Sequence, residues 1–75
     1  MNRVDLVKNL TSLYENAKDR ETVVSLHLFG IKYAEELKQN GSLKKIAEDA
    51  GIPSSYATEI RKGINLSKFV KLKSE

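Results

Sequence analysis

Chemistry in a short chain starts with its titratable and nucleophilic side chains, and here they are few. His27 is the only histidine among 75 residues, and there is no cysteine. A metal site built on thiolates or on paired imidazoles is therefore not expected. Helical spacing sets His27 among Val23, Val24, Gly30 and Ile31, which suits a partly buried structural imidazole. Glu35 and Glu36 are adjacent, so on a helix they point about 100° apart and do not converge as an acid–base pair would. Ser42, Ser54 and Ser55 have no histidine at triad spacing and read as helix caps. The four glycines (Gly30, Gly41, Gly51, Gly63) stand too far apart to cradle a phosphate. No catalytic constellation emerges, and the expectation is a non-enzyme with no cofactor and no metal.

The informative chemistry lies in how one stretch, Ser42 to Gly63 (SLKKIAEDAGIPSSYATEIRKG), is organised. Leu43, Ile46, Ala47 and Ala50 fall on one face of a helix over about 43–50, with Ser42 as its cap. Gly51 follows, where a helix end commonly takes a positive φ. Ile52 is apolar within the turn. Pro53 cannot continue the first helix but suits the start of a second, over about 54–62. Ala57 and Ile60 carry the inward face on, with Tyr56 beside them, and Gly63 is expected to stop the segment. The pattern predicts helix, tight turn, helix. An ordinary helical hairpin is the plainer reading.

These residues resemble a known family. Ala47, Gly51, Ile52, Ala57 and Ile60 are similar to the signature of a helix-turn-helix of the phage repressor/Cro type, and Arg61-Lys62-Gly63 resembles the charged pair and glycine that often close its second helix. The resemblance covers about a third of the chain. That family usually has more helix after the second motif helix, whereas twelve residues follow Gly63 here.

The resemblance implies binding of double-stranded DNA, with the second helix in the major groove. Its outward residues Ser54, Ser55, Thr58, Glu59 and Lys62 then match the family's base-facing positions. Ser55 and Thr58 can bond base edges or touch a thymine methyl, and Glu59 can accept from a cytosine amine. Lys44, Lys45, Arg61, Lys68 and Lys71 are within reach of phosphates. No Arg or Gln stands near the helix start, and Glu59 aims a carboxylate at a polyanion. Discrimination by one copy is therefore modest, and a homodimer or a larger protein partner is expected to supply the rest.

Charge agrees in direction. Residues 1–41 carry six Lys/Arg and six Asp/Glu; residues 42–75 carry seven and four, so the net +3 sits on the half with the motif. No run approaches the roughly 20 apolar residues of a membrane span. MNRVDLVKNL lacks the apolar core of a signal peptide, so a cytoplasmic location is expected.

The remaining elements must position the motif. A chain of this length is expected to form one small all-α domain of four to five helices (residues 1–75), with a core burying about 60% of the unfolded surface. Leu6, Val7, Leu10, Leu13, Tyr14 and Ala17 predict a first helix over about 3–18, capped by Asn2. The second is expected over about 20–39, capped by Asp19. It is apolar on more than one face and should form a central beam buried on two sides, or part of a homodimer contact. Gly30 within it suggests a close crossing, against Ala47 or Ala57, or else a kink; Gly41 ends it. Past Gly63, Ser67 can cap a short element over about 67–72, with Leu66, Phe69 and Val70 inward and Phe69 as a core plug. The alternation from Val70 to Lys73 also fits an extended arm. The rival function is a protein-interaction module of helix-turn-helix shape without nucleic acid, using Tyr56, Phe69 and the second helix.

Overall fold

The structure, a computed structural model, describes residues 2–18 and 20–73. Among these residues there are five α-helices: α1 (Arg3–Asn16), α2 (Thr22–Lys32), α3 (Ala34–Gln39), α4 (Leu43–Asp49) and α5 (Ala57–Leu66), the last preceded by a 3-10 turn (Ser54–Tyr56). There is no strand among the described residues, and no helix there is long and apolar enough to cross a membrane. The all-α class read from the sequence is the observed one.

α1 begins as its sequence dictates. The Asn2 side chain accepts from the Asp5 amide at 2.9 Å, and Leu6 and Leu10 are fully buried. It ends at Asn16, whose amide donates to the Ser12 carbonyl at 2.7 Å, while Ala17 is already extended. α2 does not begin at Arg20. That residue has φ +69, a left-handed conformation that no helix accommodates, and the helix starts at Thr22. The cap expected at Asp19 lies outside the described residues.

The expected 20–39 helix is two pieces. The backbone departs from helical geometry at Tyr33, although Tyr33 N–H still donates to Phe29 O and Leu37 N–H to Tyr33 O. The Tyr33 ring packs 5.0 Å from Phe29, and its hydroxyl accepts from Asn9 of α1 at 3.4 Å. No Gly or Pro marks this break. α2 is buried on one side only. Leu26, Phe29 and Gly30 face the core, while Val23, Val24 and Leu28 remain exposed.

The core joins α1 (Leu6, Leu10), α2 (Leu26, Phe29), α4 (Ile46, Ala47) and α5 (Ile60), with Ile52 from the turn. Burying each large side chain contributes roughly 1.5–3 kcal/mol. The Thr11 hydroxyl lies 3.3 Å from the Ala50 carbonyl, and an Arg3–Asp49 ion pair ties α1 to the end of α4.

The structure departs from expectation at Gly63, Gly30, Ser67 and Phe69. Gly63 does not stop the second motif helix, which runs on to Leu66; it sits inside that helix, against Gly30 of α2. A Cβ on either residue would lie 2.9 Å from the Cα of the other. The partner of Gly30 is thus Gly63 rather than Ala47 or Ala57. Phe69 is not a core plug. The chain turns at Ser67–Phe69, where the Ser67 hydroxyl donates back to the Ile64 carbonyl at 2.5 Å, so Ser67 closes α5 rather than opening another helix. With α2 and α5 already closed on each other at Gly30, Gly63 and Ile64, the Phe69 ring is left 83% exposed, and Leu66 and Val70 are exposed beside it.

Candidate nucleic-acid interface

The motif is built around the end of α4. The Ile52 amide donates to the Ala47 carbonyl at 3.1 Å and the Gly51 amide to the Glu48 carbonyl at 3.0 Å. This paired bonding satisfies carbonyls left open at the helix end, and it requires the positive φ of +76 that Gly51 adopts. Ile52 is thereby turned into the core. Pro53 is extended, and the chain re-enters helix through one 3-10 turn, with Tyr56 N–H on the Pro53 carbonyl at 3.0 Å.

α5 has a sharply two-sided surface. Ile60, Gly63 and Ile64 are buried, and Ala57 and Tyr56 are half-buried, the Tyr56 ring lying 6.0 Å from that of Tyr14. Ser55, Thr58, Arg61, Lys62 and Asn65 are exposed. Thr58, Lys62 and Asn65, spaced by four and three, share one stripe of the helix. A helix whose inner face is fixed by α4 and α2, and whose outer face carries hydroxyls, an amide and cations, can place hydrogen-bonding groups at defined positions against an external surface.

The sequence profile of the HTH-like domain family matches residues 2–73. The chain belongs to this family. The match spans α1 to α5, far beyond the two-helix motif. No curated protein and no solved structure matches the chain.

Within this HTH-like domain the expected site residues are distributed as follows. Thr58 and Lys62 stand outward on α5, Ser55 is exposed in the 3-10 turn that precedes it, and Ser54 in the same turn is half-buried. Arg61 is exposed on its flank, Lys44 and Lys45 are exposed in the first turn of α4, and Lys68 and Lys71 are exposed beyond α5. Glu59 differs from its outward expectation. Its side chain is 21% exposed and turned toward α2, where it accepts from His27 Nε2 at 2.9 Å and from Lys62 Nζ at 3.3 Å. The bond from His27 first, and then the bond and charge of Lys62, hold the Glu59 carboxyl below its ordinary pKa against the opposing effect of desolvation. His27 is accordingly a structural partner of the HTH-like domain's second motif helix. Among the described residues, no group of three or more His, Cys, Asp or Glu side chains could hold a metal ion.

Two features escaped the sequence. Asn65 belongs to the outward stripe only because the helix continues through Gly63, and counting the 3.6-residue period past that glycine would have found it. The His27–Glu59 contact joins residues 32 apart and leaves no local signal.

Proposed function

We propose that this HTH-like domain binds double-stranded DNA in the manner of the phage repressor/Cro type, as a transcriptional regulator or as the DNA-targeting part of a larger assembly. The observation that carries the reading is the exposed Thr58–Lys62 face of α5, continued by Ser55 in the turn before it, on a helix whose opposite face is buried against α4 and α2. Such a helix fits the major groove with its N-terminal half on base edges. Ser54, Ser55, Thr58 and Lys62 meet bases, and Lys44, Lys45, Arg61, Lys68 and Lys71 meet phosphates. Glu59 stays with His27 and is thereby kept from repelling the backbone. Hydroxyl groups discriminate weakly, so specificity requires two copies or a larger assembly. A protein working on the chromosome in this way resides in the cytoplasm of a prokaryotic cell. Residues 1–75 act as one unit in this reading, since α2 buttresses the second motif helix.

The rival, an interaction module without nucleic acid, draws on the exposed Phe69 but loses Tyr56, which is half-buried against Tyr14. Fluorescence anisotropy with a labelled random duplex decides between them. DNA binding predicts complex formation at low salt that weakens by about 0.9 log units per phosphate contact for each tenfold rise in salt. No binding at low salt refutes it.

A further inference from the structure

Phe69 is 83% exposed, and it is not isolated. Leu66 and Phe69 wall an open cleft of about 360 Å³ whose other sides are His27, Lys62 and Asn65. On the α2 side Val24 (52% exposed) and Leu28 stay uncovered, and Val70 follows Phe69. Leu28 also borders a second hollow with Lys32 and Leu72. Val24 shares a face of α2 with His27 (i, i+3) and with Leu28 (i, i+4), which sets an apolar seam along α2 beside the cleft walled by Leu66 and Phe69. Contiguous exposed apolar surface of this kind on a small protein marks a docking site.

Charge selects the occupant. From Ile60 to Lys73 the chain carries Arg61, Lys62, Lys68, Lys71 and Lys73 and no acidic residue, and Lys32 borders the seam from α2. A second copy docked face to face would bring these cations against one another. The cleft itself offers polar groups (Lys62, Asn65 and His27) beside an apolar wall. We infer that the seam seats an acidic amphipathic helix of another protein, its apolar side chains at i, i+3, i+4 and i+7 against Leu66, Phe69 and Val24, its carboxylates on Lys62 and Lys68. This docking does not depend on DNA binding and is tested on the DNA-free chain.

The probe is a synthetic amphipathic peptide of roughly 16 residues, long enough to form helix, with leucines on one face and glutamates on the other. Its counterpart carries Lys for each Glu. Amide shift titration of the full chain should show the acidic peptide moving His27, Lys62, Leu66 and Phe69, with the basic peptide moving none of them. Phe69→Ser should weaken the acidic peptide about tenfold. As the side chain is exposed, the variant's own spectrum should report an intact fold. The inference is overturned if the acidic peptide causes no shifts or if the basic peptide causes equal ones. Concentration-dependent self-association of the chain that Phe69→Ser abolishes overturns it in favour of a second copy. Binding to vesicles of anionic lipid without binding to the peptide overturns it in favour of a membrane surface.

Discussion

Nε2 of His27 donates to Oε1 of Glu59 across 2.9 Å, joining α2 to the exposed second motif helix α5. The contact settles where a carboxylate on that helix points. It draws Glu59 to the α2 flank, and Lys62 closes over its other oxygen at 3.3 Å. A group that reads in sequence as repelling a polyanion is thereby tied within the fold.

The first prediction concerns that carboxyl alone. His27→Ala should raise the pKa of Glu59 toward the ordinary value, as seen in a carbon-detected titration of its carboxyl. Because the folded pKa is lowered, Glu59 stabilises the wild-type fold at pH above the unfolded value of about 4.3. That contribution disappears as pH falls through the lower, folded value. The His27→Ala protein should show less of this acid-side loss. An unchanged Glu59 titration would remove His27 as the cause.

The same contact predicts a pattern in DNA affinity. Freed by His27→Ala, Glu59 should turn toward the groove and weaken binding to every sequence. The double variant His27→Ala/Glu59→Gln should recover most of that loss, since no carboxylate is left to repel phosphate. If the double variant binds as poorly as the single one, His27 acts in some other way.

The crossing of α2 and α5 predicts a packing effect. Gly30→Ala and Gly63→Ala each gain about 1 kcal/mol of helix propensity. Each also drives a methyl group into the facing helix, Gly30 into the Ile60 carbonyl and Gly63 into the His27 carbonyl. Overpacking of this kind costs about 1–3 kcal/mol, and more where backbone must move. Each variant should lose about 2 kcal/mol net and melt roughly 8–16 °C lower. A melting temperature equal to the wild type in calorimetry would contradict the crossing.

How much of this was legible follows from the range of each interaction. Ala47, Gly51, Ile52 and Ile60 announce the motif because capping and helical period act within a few residues of one another. Gly63 has the local look of a helix stop, a glycine after a charged pair, whereas its role depends on Gly30, 33 positions earlier. The break at Tyr33 carries no glycine or proline; it coincides with ring contacts to Phe29 and a bond from Asn9. Phe69 is apolar and near the end of a small core, which predicts burial; its exposure reflects how tightly α5 closes on α2 upstream. For the site, the outward hydroxyls and lysines follow from the period of α5, whereas the orientation of Glu59 is a tertiary fact.

The phosphate-facing cations predict a uniform effect. Arg61→Ala with Lys71→Ala should weaken binding to all duplexes alike and flatten the salt slope by about 0.9 log units per lost contact. Thr58→Ala should instead relax sequence preference while sparing affinity for random DNA. An unchanged salt slope for the first, or an equal loss on random DNA for the second, would reassign these residues.

The most direct measurement is an amide chemical-shift titration of the full chain with a short random duplex, at low salt and again at higher salt. DNA binding predicts shifts concentrated at Lys44, Lys45 and residues 53–71, fading as salt rises. The absence of shifts at low salt would contradict it, because even sequence-independent binding is visible under that condition.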